Sequence, residues 1–192
     1  MNKSFLPTLI RSFVRLIFRI DIKGSEKIPR DGGCMICANH ISMWDPVILW
    51  GFLPRNISFM AKEELVKVPL VGLLLKAVGT VFVKRGSGDI GAIKACLSAL
   101  SSGKAIGIFP TGTREKINPG SKPKSGAALI AMKSGTRVVP VSIKADYKIF
   151  SKVQVVISDP MDFSEYKGKK SSSEELAAVT DKIYDKILEF SS

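Results

Sequence analysis

The sequence predicts an α/β fold, in which a single domain has a central, largely parallel or mixed sheet flanked by helices. Short apolar runs rich in β-branched residues alternate with helical stretches along most of the chain, the order typical of strand–helix–strand units. The 192 residues, 45% of them hydrophobic, suffice for one sizeable core. Because no internal repeat and no linker-like stretch divides them, we expect one domain over residues 21–192.

Residues 1–20 are expected to form a basic amphipathic helix that lies in a membrane interface. Arg11, Arg15 and Arg19 recur every four positions, no acidic residue interrupts them, and apolar side chains cover the rest of the helix surface. This pattern favours arginines turned toward anionic headgroups. The alternative is a helix packed on the domain core. A signal peptide is disfavoured, because Arg11 breaks the apolar run and no small-residue cleavage site follows.

The elements of the first half follow from apolar patterning and from Gly and Pro. A short strand ends at Gly24, and a Pro- and Gly-containing turn leads into the apolar strand 33–38. Asp45 is a predicted N-cap with Pro46 at the first helical position, and this helix reaches Phe52. A strand at 57–60 and a helix at 65–78 follow. Lysines and a proline interrupt the apolar stretch 65–83, which argues against a transmembrane span.

The second half continues the alternation of strands and helices. Apolar runs predict strands, and helical periodicity predicts the helices between them. The last helix begins at a capping box in which Ser172 and Glu175 exchange hydrogen bonds. In chain order, the predicted elements are strand 80–85, helix 90–101, strand 105–110, helix 126–134, strands 138–143 and 153–157, and helix 174–190.

The charge of the chain indicates a polyanionic partner. Lys and Arg number 29 against 17 Asp and Glu, which gives a formal charge of +12. Nucleic acid, an anionic membrane surface and phosphorylated substrates all fit this charge. No nucleic acid partner is expected, because the basic residues are not interleaved with aromatic side chains that stack on bases.

The three cysteines are expected to be reduced thiols in a protein that faces the cytosol. Their number is odd, and Cys34 and Cys37 lie inside an apolar strand without a second Cys pair, so buried strand residues are favoured over a metal or redox site. No cofactor and no metal are expected, since the chain has neither a G-K-[ST] phosphate loop nor an H-E-x-x-H zinc site.

His40, the single histidine of the chain, is the candidate general base. Histidine titrates near physiological pH, and a carboxylate on its other ring nitrogen fixes the tautomer. Asp45 follows five residues later, a step of about 140° on a helix, so the two side chains can meet only if the segment turns between them. A strand, a loop with His40 and a helix start with Asp45 would provide this turn. A purely structural histidine is the alternative.

Two cationic segments follow predicted strands and are candidate phosphate sites. Thr111-Gly112-Thr113-Arg114 offers backbone amides and a guanidinium, and Lys84-Arg85 ends the preceding strand. If the sheet is parallel, both segments and His40 emerge at one edge, where ligands bind in open α/β sheets. Residues 86–91 match the dinucleotide pattern G-x-G-x-x-G but lack the acidic residue expected after the next strand, so we expect no nucleotide there.

Four segments resemble, in order, the sequence blocks of the glycerolipid acyltransferase family. They are 39–46, with the pattern N-H-x-x-x-x-D, and 82–85, 109–114 and 139–141. The resemblance spans roughly residues 28–143 and implies an acyltransferase domain. It implies that His40 removes the proton from the sn-2 hydroxyl of 1-acyl-sn-glycerol 3-phosphate (lysophosphatidic acid), that Asp45 orients His40, and that an acyl thioester is attacked to give phosphatidic acid. Arg85, Gly112, Thr113 and Arg114 would hold the substrate phosphate.

The same resemblance implies the partners and the location. The donor would be acyl carrier protein or coenzyme A thioester, the partner an anionic membrane surface, and the location the cytoplasmic face of the cell membrane, as a monotopic or peripheral protein. Thr111 departs from the family pattern, which has glutamate at this position. Two alternatives therefore stay open: an acyltransferase that uses another lysolipid, and a catalytically silent lipid-surface protein.

Overall fold

Seven strands of the part of the chain that is described form one sheet, with five helices on its two faces. The computed structural model describes residues 5–62, 80–83, 90–114, 117 and 120–190. The strands are β1 (Arg19–Lys23), β2 (Cys34–Ala38), β3 (Ile57–Lys62), β4 (Val81–Val83), β5 (Ala105–Ile108), β6 (Arg137–Ala145) and β7 (Lys152–Ile157). The helices are α1 (Phe5–Ile17), α2 (Trp44–Phe52), α3 (Ile90–Ser101), α4 (Gly126–Ser134) and α5 (Ser173–Leu188).

The sheet has the strand order β1-β7-β6-β2-β5-β3-β4 and is mostly parallel. Strands β6, β2, β5, β3 and β4 run in one direction, and the antiparallel β6–β7 pair reverses it for β7 and its parallel neighbour β1. The predicted α/β fold with a largely parallel or mixed sheet is confirmed.

The centre of the sheet contains a topological switch point between β2 and β5. The chain leaves β2 through α2 toward β3, on one side, and leaves β5 through α4 toward β6, on the other. Where two neighbouring parallel strands send their connections in opposite directions, a crevice opens at their carboxyl ends. His40 and the segment 109–114 follow these two strands, so both candidate segments lie at this crevice.

The core consists of two apolar clusters, one on each face of the sheet. Every residue of β2 is buried, with Cys34 and Ile36 in the cluster beneath α1 and α2 and Met35 and Cys37 in the cluster beneath α3, α4 and α5. Successive strand side chains point to opposite faces, and a strand covered on both faces reads as a continuous apolar run. The prediction that the β2 cysteines are buried strand residues is confirmed.

The helices predicted at 90–101 and 126–134 have the predicted boundaries, and the described boundaries of the other elements differ from the predicted ones by at most three residues. The strand predicted to reach Pro110 ends at Ile108, and β6 extends to Ala145. The predicted capping box at the start of α5 is confirmed by both of its hydrogen bonds, between Ser172 and Glu175. The predicted helix 65–78 and the end of the predicted strand 80–85 lie outside the described residues.

Candidate active site

The carboxyl end of β2 is fixed by the buried side chain of Asn39. Its amide donates to the Ile143 carbonyl at 2.8 Å and its carbonyl accepts from the Ile143 N–H at 2.7 Å. Asn39 thus continues the pairing of β2 with β6 by one more rung, made with a side chain instead of the backbone. The next residue, His40, therefore leaves the sheet from a rigid point.

The Asp45 side chain holds the loop after Asn39 through hydrogen bonds. Its Oδ2 accepts hydrogen bonds at 2.7 Å from three donors, namely His40 Nδ1 and the backbone amides of Ile41 and Ser42. The Asp45 side chain is 0% exposed, and a carboxylate tolerates such burial only when charge-assisted hydrogen bonds replace its water. The segment between His40 and Asp45 turns as predicted, and the two side chains meet.

The predicted N-cap role of Asp45 is wrong. Helix α2 begins at Trp44 with Met43 as its N-cap, and no side chain caps it. The Asp45 carboxylate points back to the loop instead, because three donors there compete for it. Pro46 is tolerated at the third helical position, two positions further in than predicted, because backbone N–H groups in the first turn have no intrahelical partner.

The hydrogen bond to Asp45 sets the state of the His40 ring. A carboxylate only accepts, so Nδ1 carries the proton in this hydrogen bond. The His40 side chain is 18% exposed. In the neutral tautomer with its proton on Nδ1, Nε2 has the lone pair that general-base catalysis requires, and a buried carboxylate lies behind the other ring nitrogen.

Stacked aromatic rings support one face of the His40 imidazole. The Phe109 ring lies 4.1 Å from the His40 ring at 18°, and Phe59 stacks on Phe109 at 5.6 Å. A Cβ on Gly107 would come within 2.3 Å of the Phe59 ring, so only glycine leaves room for this ring at that position. The orientation of His40 therefore depends on residues of β3 and β5 as well as on Asp45.

The segment after β5 forms a tight turn beside His40. The Gly112 N–H donates to the Phe109 carbonyl at 2.9 Å, Pro110 occupies the second turn position, and Gly112 has a left-handed φ of 66°. Thr111 is 2% exposed, and its hydroxyl donates to the Thr113 carbonyl at 2.8 Å. The Thr111 side chain thus stabilises the turn from inside.

Lys124 is a cation of this turn that the sequence interpretation missed. Its N–H donates to the Pro110 carbonyl at 2.9 Å, and its Nζ lies 3.5 Å from the point where a Cβ on Gly112 would be. The ammonium group therefore lies against the Gly112 backbone, on the turn that ends at Arg114. Lys84 and Arg85, the other predicted phosphate ligands, lie outside the described residues.

Tyr147, on the loop between β6 and β7, also reaches the site. Its hydroxyl donates to Asp45 Oδ1 at 2.5 Å, and its ring meets Phe18 edge-on at 5.4 Å. Burial, and next the adjacent charge of Asp45, raise the pKa of Tyr147. The sequence interpretation missed this residue. The available signal was that β6 runs parallel to β2, so the residues after its carboxyl end emerge at the same edge.

The three cysteines lie apart from this site as free, buried thiols. Burial raises the pKa of Cys37 to about 12 and that of Cys96 to about 11, and it raises the pKa of Cys34. Across the described ranges of the chain, no three His, Cys, Asp or Glu side chains gather as a metal site would require.

Helix α1 packs on α2 with part of its basic face and leaves an apolar stripe exposed. The Arg11 Nε–H donates to the Gly51 carbonyl, and the Arg15 guanidinium lies 5.5 Å from the Phe52 ring. Val14 is buried in the core. The expectation that all three arginines face headgroups is therefore wrong for Arg11, because α2 offers it a carbonyl. In the described part of the chain, no helix combines the length and apolarity of a bilayer span.

Three comparisons place the chain among known proteins. A 1-acyl-sn-glycerol-3-phosphate acyltransferase of Borreliella burgdorferi is 33% identical over 140 residues, which are 70% of this chain and 54% of that protein, so the chain spans about half of that relative. The Bacillus subtilis protein of the same name is 28% identical over 191 residues, which are 96% of this chain and 94% of that protein.

The fold and the family profile agree with these relatives. The crystal structure of the 1-acyl-sn-glycerophosphate acyltransferase PlsC from Thermotoga maritima superposes with a TM-score of 0.66 at 30% identity, covering 97% of this chain and 82% of that one. The Acyltransferase family profile matches residues 19–144, which include β1 to β5, all but the last residue of β6, His40, Asp45 and the turn at 109–114. The chain therefore belongs to the acyltransferase family.

Proposed function

We propose that this protein transfers a fatty acyl group from a thioester to the sn-2 hydroxyl of 1-acyl-sn-glycerol 3-phosphate, giving phosphatidic acid. The observation that carries the proposal is the contact of His40 Nδ1 with Asp45 Oδ2 at 2.7 Å, beside a turn that bears Arg114 and is contacted by Lys124. A base and a set of cations at one sheet edge suit an acceptor that has both a hydroxyl and a phosphate. The names of the relatives support this acceptor.

In the proposed reaction, His40 Nε2 takes the proton of the acceptor hydroxyl as its oxygen attacks the thioester carbonyl carbon. The tetrahedral intermediate collapses, the carbon–sulfur bond breaks, and the imidazolium returns the proton to the leaving thiolate. Asp45 stabilises the imidazolium through the hydrogen bond at Nδ1. No acyl-enzyme forms. A positioned base of this kind typically contributes about 10²- to 10⁴-fold to the rate.

The acceptor phosphate would be bound by the turn after β5. Gly112 exposes its backbone there, and Thr113 and Arg114 follow with a hydroxyl and a planar guanidinium suited to phosphate oxygens. Lys124 adds a second cation against Gly112. For Lys84 and Arg85 the support is their place in the chain directly after β4, whose carboxyl end lies on the same edge of the sheet.

We further propose that the protein binds an anionic membrane through an apolar surface formed by α1 and the β6–β7 loop. The surface consists of Leu9, Phe13, Leu16, Ile149 and Phe150, all of which are exposed, with Leu16 at 72% and Ile149 at 73%. Its two parts adjoin, because the Phe150 N–H donates to the Ile17 carbonyl at the end of α1. The ring centroids of Phe13 and Trp44 also lie 6.4 Å apart. Because Trp44 directly precedes Asp45, this surface borders the site.

The charges around the apolar surface favour a lipid partner. Arg15, Arg19 and Lys148 are exposed beside it, and basic residues that frame an apolar stripe are typical of helices in anionic interfaces. Residues 1–20 would thus bind the membrane together with the β6–β7 loop, and residues 21–192 would form the acyltransferase domain. The proposed location is the cytoplasmic face of the cell membrane.

Thr111 favours a second candidate, an acyltransferase for another lysolipid. The family pattern has glutamate at this position, whereas the Thr111 hydroxyl is engaged by the Thr113 carbonyl and offers the acceptor no carboxylate. If the residue at this position sets acceptor choice, Thr111→Glu raises kcat/KM for lysophosphatidic acid relative to other lysolipids. An unchanged ratio between acceptors removes the reason for this second candidate.

A product assay tests the proposed function. Purified protein is mixed with acyl carrier protein or coenzyme A thioesters and with lysophosphatidic acid or lysolipids of other headgroups, and the product lipids are identified by mass spectrometry. We expect phosphatidic acid from lysophosphatidic acid, and formation of it by His40→Ala at a rate about 10²- to 10⁴-fold lower. No product from any pair would support the silent lipid-surface protein, and a product only from another lysolipid would support the second candidate.

A further inference from the structure

We propose that Tyr147 is a positioning residue for the His40–Asp45 pair, because its hydroxyl holds the second oxygen of the Asp45 carboxylate. The inference rests on the proposed roles of His40 and Asp45. It assigns to the β6–β7 loop, 102 residues further along the chain, a part in the acyl transfer. Tyr147 lies outside the family match, which ends at residue 144.

The hydrogen bonds of Asp45 show why one more donor matters. Oδ2 is shared by His40 and two backbone amides, so this oxygen is anchored on one side of the carboxyl group. Oδ1 accepts from the Tyr147 hydroxyl. With both oxygens held, the carboxylate cannot rotate about its Cβ–Cγ bond without losing a bond. Tyr147 contacts Asp45, and Asp45 in turn contacts His40, so Tyr147 would act on the proposed base through Asp45.

The backbone of Tyr147 is held in an unusual conformation that brings the hydroxyl to Asp45. Its φ of 54° and that of Phe150, 62°, lie in the left-handed region, which residues other than glycine seldom occupy. Such residues persist where surrounding contacts hold them. Here the contacts are the edge-on packing of Tyr147 on Phe18 and the hydrogen bond of the Phe150 N–H to Ile17.

The chemistry of Tyr147 allows it to donate but not to act as a base. Burial and the adjacent Asp45 charge raise its pKa, so the hydroxyl keeps its proton over the physiological range. A carboxylate that loses a donor takes up a proton more readily. On acidification, the variant without the hydroxyl should therefore lose activity at a higher pH than the wild type does.

Among the described residues, the side chains packed around the pair are mostly uncharged, and the β6–β7 loop adds Asp146 and Lys148, both exposed beside Tyr147. Phe18, from the α1–β1 connection, contacts Tyr147, and Trp44 of α2 contacts Phe18. Phe109, after β5, contacts His40. All three of these aromatic side chains are uncharged. Helix α2 has no charged residue besides Asp45. The turn after β5 contributes Arg114, and Lys124 contacts the same turn.

Tyr147→Phe tests the inference, because it keeps the ring on Phe18 and removes only the hydroxyl. We expect a fall in kcat of about tenfold, a KM for the acceptor within about twofold, and an acid limb of kcat/KM that moves to higher pH. Tyr166→Phe is the matched control, since Tyr166 packs on Phe163 away from the site and should leave kcat unchanged. Circular dichroism and the thermal midpoint check that both variants fold.

A double-mutant cycle with Asp45→Asn shows whether Tyr147 acts through Asp45. We expect Tyr147→Phe to lower kcat by less than about twofold in that background, because the charged acceptor has already been removed. Additive losses, a pH profile that does not move, or a kcat equal to that of Tyr166→Phe would overturn the inference. Full activity of His40→Ala in the same assay would instead overturn the proposed function, so the two failures are distinguishable.

Discussion

The rings of His40 and Phe109 lie 4.1 Å apart and nearly parallel, so the proposed base is held on its face by the first residue after β5. The hydrogen bond to Asp45 fixes one edge of the same ring. An imidazole held on both an edge and a face keeps Nε2 in one direction. The stack therefore connects the residues beneath Phe109 with the orientation of the base.

Gly107→Ala should disturb this stack from below. The added Cβ would clash with the buried Phe59 ring, which in turn supports Phe109. We expect a loss of about 1–3 kcal/mol in the free energy of unfolding, as for other overpacked cores, together with a lower kcat. Urea unfolding and steady-state kinetics measure the two effects.

Gly126→Ala is the control for that substitution, because nothing lies within 4 Å of its Cβ position at the start of α4. It should be neutral or stabilise the protein by up to about 1 kcal/mol. Equal stability of the Gly107→Ala and Gly126→Ala variants would contradict the proposed tight packing of Phe59.

Thr111→Val should loosen the turn that bears Arg114. The substitution keeps the shape of the side chain and removes the hydroxyl that donates to the Thr113 carbonyl. We expect KM for the acceptor to rise by about tenfold, with a smaller change in kcat, since the turn is proposed to bind the phosphate. Thr180→Val removes a similar hydroxyl bond, to the Leu176 carbonyl in α5, and should leave KM unchanged. Matching KM values for the two variants would argue against a phosphate site at this turn.

Membrane binding should depend on the apolar surface of Leu9, Phe13, Leu16, Ile149 and Phe150. Leu16→Ser combined with Phe150→Ser should reduce the affinity for vesicles of phosphatidylglycerol and phosphatidylcholine by at least about tenfold, because two large apolar side chains no longer enter the bilayer. Vesicle flotation at several salt concentrations measures this. Ile90→Ser changes an equally exposed residue on α3 and should bind as the wild type does. Undiminished binding of the double variant would contradict the proposed surface.

The cysteines should be unreactive in the folded protein at pH 8. The pKa of Cys37 is raised to about 12 and that of Cys96 to about 11, so both thiols stay protonated, and burial also shields Cys34. In the unfolded chain these thiols titrate near 9.0, so stability is expected to fall as pH rises from about 9 toward the folded values. Labelling with a thiol reagent before and after unfolding in guanidinium chloride should show three thiols only after unfolding. Rapid labelling of Cys37 in the native state would contradict this packing.

Local patterns were enough to predict the frame of the site. The apolar run of β2, the turn between His40 and Asp45, and the cationic segment at 111–114 all depend on residues close together in the chain. Parallel strands bring their carboxyl ends to one edge, so the meeting of these segments also followed from the predicted sheet. The proposed phosphate-binding roles of Lys84 and Arg85 stay predictions.

Contacts between distant segments were not predictable in this way. The bond of Tyr147 to Asp45 depends on a left-handed loop conformation that has no glycine to signal it. Likewise, the spacing of the arginines in α1 does not predict which face of this helix packs on α2. Arg11 lies on that face and donates to the Gly51 carbonyl. In both cases tertiary packing overrides the local pattern.

The turnover number of His40→Ala with lysophosphatidic acid and a saturating acyl thioester tests the central claim most directly. If His40 is the general base, kcat should fall by about 10²- to 10⁴-fold while the thermal midpoint and vesicle binding stay close to those of the wild type. A kcat within about threefold of the wild-type value, in a folded variant, would contradict the proposed mechanism.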